Sequence, residues 1–406
     1  ALSLESPEAY ARWLAEPVHQ QQEREALCNL LTSRETYFLR DQGVIDVLRD
    51  HLLVETIAQK SDSHTLRIWS VGCSTGEEAY TLSILAEEAI VDLSNWKIDI
   101  LGSDIDQAAL NQARQGAYRP WSFRGCPPEF IARYFHPRGN DFQLMDHVKQ
   151  RVRFEQLDIV GEPYPTSQKG MALADIILCR NVFIYLDHAA IQTALQKLTA
   201  CLNEGGFLLC APGELQSQTH TDLTLRIFPQ ALVYQKITAQ AEAVMPSVLP
   251  MMAVAQAPTA FLPPQITPPA QSSKPTTELS LAWQLANRGD LVHAQSMCDT
   301  LLRTDPLDPH AHYLHAVLLF AQGATALTRE ALRRVLYLDP TFAVAYTMLS
   351  DVYMSENNSA AALKACQQGF KALRSQAENQ IVPYLKTVTI QDFLQHLQGR
   401  MTSLHQ

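Results

Sequence analysis

Between residues 66 and 214 the sequence alternates short, almost wholly apolar runs with stretches of helical spacing, and few folds accommodate that alternation. LRIWSVG (residues 66–72) is an apolar run ending in a turn, and residues 77–89 have helical periodicity. WKIDILGSDI (96–105) reads as the next strand and residues 107–115 as the next helix. After an irregular region come VRFEQLDI, ADIILC (174–179), a helix near 189–202, a Gly205-Gly206 turn and the strand of FLLCAPGE. Strands this apolar must be covered on both faces, and strands separated by helices run parallel. The expected class is therefore α/β, a mostly parallel sheet between helical layers. Ligands of such sheets bind beyond the carboxyl ends of the strands, where the motifs below fall.

Two other textures follow. From Ala239 to Glu278 eight prolines sit among Ala, Gln, Ser and Thr with little charge. Such a segment can neither complete a helix ladder nor bury a core, so residues 239–278 read as an extended linker. Beyond it the chain repeats with a step of 34: Gly289 and Gly323, Asp305-Pro306 and Asp339-Pro340, Leu302, Leu336 and Phe370, and the small residues Ala282, Ala316 and Ser350. That period resembles tetratricopeptide repeats, about three over residues 279–375, the third with Asn357 at the glycine position, and a capping helix over 376–406. Stacked helix pairs expose a groove, which implies binding of a protein partner or of a second copy of the chain. His310, His312 and His315 read as packing and surface residues of one repeat helix, and no metal is expected.

With 406 residues, 47% hydrophobic and 18% charged, the chain has room for two or three globular domains. No apolar run approaches the roughly 20 residues that span a bilayer, so no membrane insertion is expected. The first residues, ALSLESPEAYARW, carry no secretory pattern, and a cytoplasmic protein is expected. Eight cysteines without a CxxC pair read as reduced, mostly buried thiols. A net charge of -10 offers no general attraction to nucleic acid. The basic stretch of Arg119, Arg124, Arg133, Arg138, Lys149, Arg151 and Arg153 reads as a solvated face.

The chemistry concentrates in VGCSTGEEAY, residues 71–80. Gly72 and Gly76 permit a sharp turn between strand and helix and close approach of a ligand to the backbone. A dinucleotide site would show GxGxxG, and a Walker loop would need Gly-Lys-Ser/Thr. Glu77 would moreover repel a pyrophosphate at the helix N-terminus. A ligand carrying an ammonium and a sulfonium gains from the same carboxylate, and S-adenosylmethionine is such a ligand. Asp104, at the end of the second strand, suits a pair of ribose hydroxyls, and Gln156 and Leu157, after the third, suit an adenine.

TYFLR (36–40), CSTGEEAYTL (73–82), SDIDQAALNQARQGAY (103–118) and CRNVFIYL (179–186) together resemble the successive signatures of the CheR family, the glutamate methyltransferases of chemotaxis receptors. Their order and intervals match over about residues 30–237. The resemblance implies a Rossmann-like S-adenosylmethionine-dependent methyltransferase domain over 61–238, with a small β-subdomain at about 130–154. Residues 1–60 would then be the remnant of an N-terminal helical domain. It further implies that Thr36, Arg40, Gly72, Glu77, Asp104, Gln156, Leu157, Arg180 and Asn181 bind the cofactor, and that Arg40 and Tyr185 flank the transferring methyl.

The implied reaction makes glutamate 5-methyl esters on the cytoplasmic domain of a methyl-accepting chemoreceptor and leaves S-adenosylhomocysteine. It places the protein at receptor arrays on the inner face of the membrane. A glutamate is ionised near neutral pH and needs no strong base, so no catalytic His is sought. The alternative is a scaffold that keeps the cofactor pocket as a sensor and acts through its repeats. Two departures from the family pattern stand out. Residues 1–60 hold six basic and ten acidic residues, which does not support a basic receptor-docking helix. HPRGNDF is also shorter and poorer in glycine than the loop that tethers a receptor's C-terminal pentapeptide, which implies a weak or absent tether.

Overall fold

The computed structural model describes residues 6–16, 23, 34–161, 173–211, 214–215, 222–237, 277–385 and 388–404. The linker prolines and much of residues 1–33 lie outside them. In chain order the strands are β1 (Thr65–Val71), β2 (Lys97–Asp104), β3 (Ala117–Tyr118), β4 (Phe135–Arg138) and β5 (Asp141–Leu144). They continue with β6 (Val152–Gln156), β7 (Ala174–Cys179), β8 (Leu202–Cys210), β9 (Leu223–Ile227) and β10 (Leu232–Lys236). Seven form one sheet in the order β6-β2-β1-β7-β8-β10-β9. Its first five strands run parallel, and β10 is antiparallel to both β8 and β9.

Register explains why the apolar runs have no polar alternation. Ile68 lies beside Ile100 and Ile176, and Ile176 beside Phe207; one residue on, Trp69 lies beside Leu101 and Ile177, and Ile177 beside Leu208. The first row packs under helix Glu77–Ala89, and the second under helix His188–Ala200. Each fully buried side chain contributes about 1.5–3 kcal/mol. Trp69 Nε1 donates to Ser103 Oγ at 2.9 Å and so satisfies its one polar atom within the apolar layer.

Three local outcomes differ from the sequence reading. Gly205 and Gly206 are not a turn ahead of the last parallel strand but lie within β8, where Gly205 takes φ +73° and the pairing with β7 shifts register. This is the bulge for which an interior glycine is suited. A separate three-stranded sheet, β3-β5-β4, begins at Ala117, ahead of the expected insert, while residues 152–154 belong to the large sheet. The basic stretch is laced to neighbours: Arg151 pairs with Glu87, Arg153 with Asp99 and Arg124 with Glu35.

After the linker come three helix pairs, Thr277–Asn287 with Leu291–Thr304, Pro309–Ala321 with Thr325–Leu338, and Ala343–Ser355 with Ser359–Leu373. Ala282, Ala316 and Ser350 are fully buried, which is why the repeat keeps them small. Asn357 takes φ +55°, beside +83° at Gly289 and +74° at Gly323, so it reproduces the left-handed turn of the glycines it replaces. Helix Ile390–Leu404 packs on Ser359–Leu373.

The helix pairs sit on the sheet's β9–β10 edge. Ile227 of β9 is buried in the repeat core, and Arg226 joins Glu55 at 2.7 and 2.8 Å to the Asn287 carbonyl at 2.6 Å. The tight turn between the two strands enters an aromatic cluster. Tyr313 donates to the Pro229 carbonyl at 3.0 Å, and Gln230 donates to the carbonyl of Tyr384. The ring of Tyr384 lies 5.9 Å from Trp283, 5.5 Å from Tyr313 and 5.7 Å from Phe342, with its hydroxyl 2.8 Å from His310 Nδ1. Tyr384 and the β9–β10 turn thus pack against Trp283, Tyr313 and Phe342 of the repeats.

Candidate active site

Strand order reverses between β1 and β7, and the crevice at their carboxyl ends is the position where α/β sheets bind ligands. The loop after β1 lies across it. Gly72 takes φ +70°, and a Cβ there would collide with Val182 of the loop after β7; Gly76 takes φ +92°, and its Cβ would come within 2.8 Å of Ala113. Both conformation and space exclude a side chain. Gly72→Ala is expected to cost about 2 kcal/mol, read as a lower urea midpoint at unchanged m.

Glu77 opens the next helix but is turned inward and buried, accepting from Thr75 Oγ1 at 2.6 Å and from Ser122 Oγ at 2.9 Å. Burial pushes its carboxyl above the ordinary value against the lowering effect of those bonds. Asp104 accepts from the backbone N–H groups of Ser74 at 2.8 Å and Asp106 at 2.9 Å, and it too is raised chiefly by burial. The two acids stand on opposite sides of one turn, since Ser74 links Asp104 to the loop that ends at Glu77. Gln156 donates to the Ile105 carbonyl at 2.9 Å, and the N–H of Leu157 donates to Asp104 O at 2.9 Å, which ties the end of β6 to the end of β2.

Arg180, at the exit of β7, is buried and crosses to the other wall. Its Nη2 meets Asp41 at 2.9 Å, and its Nη1 meets the Arg40 carbonyl at 3.2 Å and Glu78 at 3.5 Å. Glu78 also accepts from Ser70 Oγ at 2.7 Å, so the second acid of the loop is a clamp on Arg180 as well as a helix opener. Through these bonds the segment of residues 34–41 is held over the crevice, with Thr36 half-buried within it. The Arg40 guanidinium makes one hydrogen bond among the described residues, to the Glu35 carbonyl at 3.0 Å, and lies 5.8 Å from the Tyr37 ring. Arg124 stacks between Tyr37 at 3.9 Å and Trp121 at 4.5 Å. Asn181 takes φ +59° and starts the loop that ends at Tyr185, whose side chain is 55% exposed. The helix Ile390–Leu404 stands within electrostatic reach of this wall. Burial holds His396 well below its ordinary value, Arg400 and Arg40 add to the effect, and Asp41 opposes it.

The residues fit a cationic amino-acid ligand with hydroxyls to satisfy. Glu77 and Asp104 are inward carboxylates that form no ion pair among the described residues, although Arg124 lowers the Glu77 carboxyl from a distance. Ser74 Oγ and Arg180 Nε are buried without a hydrogen-bond partner among the described residues. Cys73 and Cys179, the nearest thiols, are buried and pushed well above the ordinary value, so neither is a nucleophile or a base.

A family model described as the CheR methyltransferase, SAM binding domain, matches residues 34–227. "Chemotaxis protein methyltransferase 2" of Vibrio cholerae is 31% identical over 216 residues, which cover 53% of this chain and 74% of that protein. The chain belongs to the CheR methyltransferases. It is an S-adenosylmethionine-dependent methyltransferase with a Rossmann-like sheet and a C-terminal helical region. "Probable biofilm formation methyltransferase WspC" of Pseudomonas aeruginosa is 24% identical over 371 residues, 86% of each chain, so that likeness necessarily runs into the helix pairs. "Chemotaxis protein methyltransferase 1" of the same organism is 30% identical over 196 residues, 47% of this chain and 69% of that protein. No described helix of this CheR methyltransferase is long and apolar enough to cross a membrane.

Sequence reasoning missed Asp41, Ser122 and Glu214 as parts of the site. Asp41 sits beside Arg40 in the sequence but pairs with Arg180, 139 positions away. Ser122 lies in the short helical turn Pro120–Phe123, which carries no motif. Glu214 follows a glycine beyond a strand end, which is an unremarked place for an acid.

Proposed function

We propose that this CheR methyltransferase esterifies glutamate side chains on the cytoplasmic domain of a methyl-accepting chemoreceptor, forming 5-methyl esters, and that its repeats contact a protein partner at receptor arrays on the inner face of the membrane. The reading is supported by one observation above all: among the described residues the Arg40 guanidinium makes a single hydrogen bond, to the Glu35 carbonyl, while its own carbonyl is tied to Arg180 at the exit of β7, the strand whose following loop carries the exposed Tyr185. S-adenosylmethionine supplies a methyl on a sulfonium, which leaves as a neutral thioether. Arg40 holds the incoming carboxylate by charge-assisted bonds and aligns one oxygen with the methyl. Tyr185 offers a ring face to positive charge there. Glu77 takes the cofactor's ammonium, Asp104 its ribose hydroxyls, and Thr36, Gly72, Gln156, Leu157, Arg180 and Asn181 complete the walls. The substrate arrives already ionised, so no residue need remove a proton.

Glu77→Gln tests the acid's part. Burial raises the wild-type carboxyl, so its favourable contribution, full below the ordinary glutamate value, is lost as pH rises through the raised one. The variant removes that loss and is expected to be at least as stable as wild type at pH 8 without cofactor. Its affinity for S-adenosylmethionine should nonetheless fall about tenfold by calorimetry. The substrate assignment is tested by incubating the full chain and cofactor with membranes carrying a cognate receptor, then sequencing receptor peptides by mass spectrometry. Methyl on glutamate is expected. Tight cofactor binding with no transfer to any receptor would instead favour the scaffold.

A further inference from the structure

Beyond the residues that face the crevice, one carboxylate bonds to the loop that carries three of them, Arg180, Asn181 and Tyr185. Glu214 lies past the end of β8, where three backbone N–H groups converge on its two oxygens: Asn181 at 3.3 Å and Ala211 at 2.7 Å on Oε2, and Phe183 at 3.1 Å on Oε1. We propose that Glu214 is a positioning residue for methyl transfer, fixing the loop of residues 180–185 by accepting these three bonds. Asn181 shows why that loop needs fixing. It holds φ +59°, a left-handed conformation that a non-glycine residue adopts at a cost and keeps when its surroundings impose it. Two features do so: Glu214 takes the N–H groups on either side of Val182, and Gly72, lacking a Cβ, leaves room for the Val182 side chain. The same loop then turns through Phe183, which is buried, to Tyr185, which is exposed.

Only a carboxylate serves all three donors. A glutamine in the same volume has one oxygen, so its NH2 would face either Phe183 N–H or the pair from Asn181 and Ala211. Burial raises the Glu214 carboxyl to about 7, opposed by the three bonds and by Arg180. The other groups packed around it are the thiols of Cys179 and Cys210 and the phenol of Tyr234, all pushed up by burial and un-ionised near neutrality. Arg180, which also faces Glu78 and Asp41, stays charged. The accepting form of Glu214 is thus lost as pH falls through about 7, and the loop loosens on that side.

The test uses the full chain with Glu214→Gln, which keeps the volume, and Glu214→Ala. Three quantities are read: amide exchange at Asn181 and Phe183, calorimetric affinity for S-adenosylhomocysteine, and kcat and KM for methyl transfer across pH 6 to 8.5. Both variants are expected to exchange at least tenfold faster at Asn181 and Phe183 while helix Glu77–Ala89 stays protected, and to lose at least tenfold in kcat. The wild-type rise in kcat through about pH 7 should be flattened in Glu214→Gln. Wild-type exchange at both amides in Glu214→Gln, or unchanged kcat and cofactor affinity in a variant whose amides do exchange faster, would overturn the proposal. The kcat arm rests on the receptor-glutamate reading. If wild type modifies no receptor, that reading fails by itself, and the exchange arm still decides whether Glu214 fixes the loop.

Discussion

Arg40→Ala is expected to lower kcat for receptor methylation roughly 100-fold or more, while calorimetric affinity for S-adenosylmethionine changes by about tenfold at most. The asymmetry follows from the geometry. Among the described residues the Arg40 guanidinium gives one hydrogen bond, to a backbone carbonyl, and Glu77 and Asp104, proposed to carry the cofactor's charge and hydroxyls, are positioned by Thr75, Ser122, Ser74 and Asp106 without it. Removing the guanidinium therefore leaves the acid-lined crevice standing and takes away the group that aligns the incoming carboxylate. Arg40→Lys should recover part of the loss, because an ammonium restores charge but not a planar fork. Equal losses in affinity and kcat would move Arg40 from substrate alignment to cofactor binding alone.

Tyr384→Ala should have the largest effect on stability, about 2–4 kcal/mol by urea unfolding. The ring closes a cluster with Trp283, Tyr313 and Phe342 and meets His310, and the same residue's carbonyl receives Gln230 from the β9–β10 turn. That turn presses on the start of helix Gln42–Val47, where a Cβ on Gly43 would lie 2.9 Å from Gln230 Cβ. Loss of the ring should thus loosen the repeats from the sheet edge and expose Ile227 and Arg226. Faster proteolytic cleavage near β9 is the accompanying sign. A variant with wild-type stability and cleavage would show that the remaining contacts, those of Arg226 with Glu55 and Asn287, of Tyr313 with Pro229 and of Gln230 with the carbonyl of residue 384, hold the junction without the ring.

What was legible in the sequence was local or periodic. Apolar runs at Ile68, Ile100 and Ile176 announced a doubly covered parallel sheet because every residue of a central strand meets a buried face. A step of 34 announced helix pairs because each repeat must bury the same small residues, Ala282, Ala316 and Ser350. Gly72 and Gly76 announced a turn whose backbone only glycine adopts easily. What remained hidden depends on pairs far apart in the chain. Nothing near Arg180 says that it reaches back to Asp41 and Arg40, and nothing near Glu214 says that its oxygens collect N–H groups from positions 181 and 183. The repeats read as open to a partner, and the separation of 154 positions between Gln230 and Tyr384 hid the contact the chain itself makes with them. Gly205 was misplaced because a bulge inside a strand and a turn before one leave the same glycine signature.

The central claim, transfer to a receptor carboxylate, is met most directly by the chemical lability of the product. Full-length protein, methyl-labelled S-adenosylmethionine and receptor-bearing membranes are combined, and the receptor band is exposed to mild base. A carboxyl ester must release its label as volatile methanol, and the account predicts that essentially all of the label leaves in this way. Label that stays on the receptor through base, as an amine or amide methyl would, contradicts it.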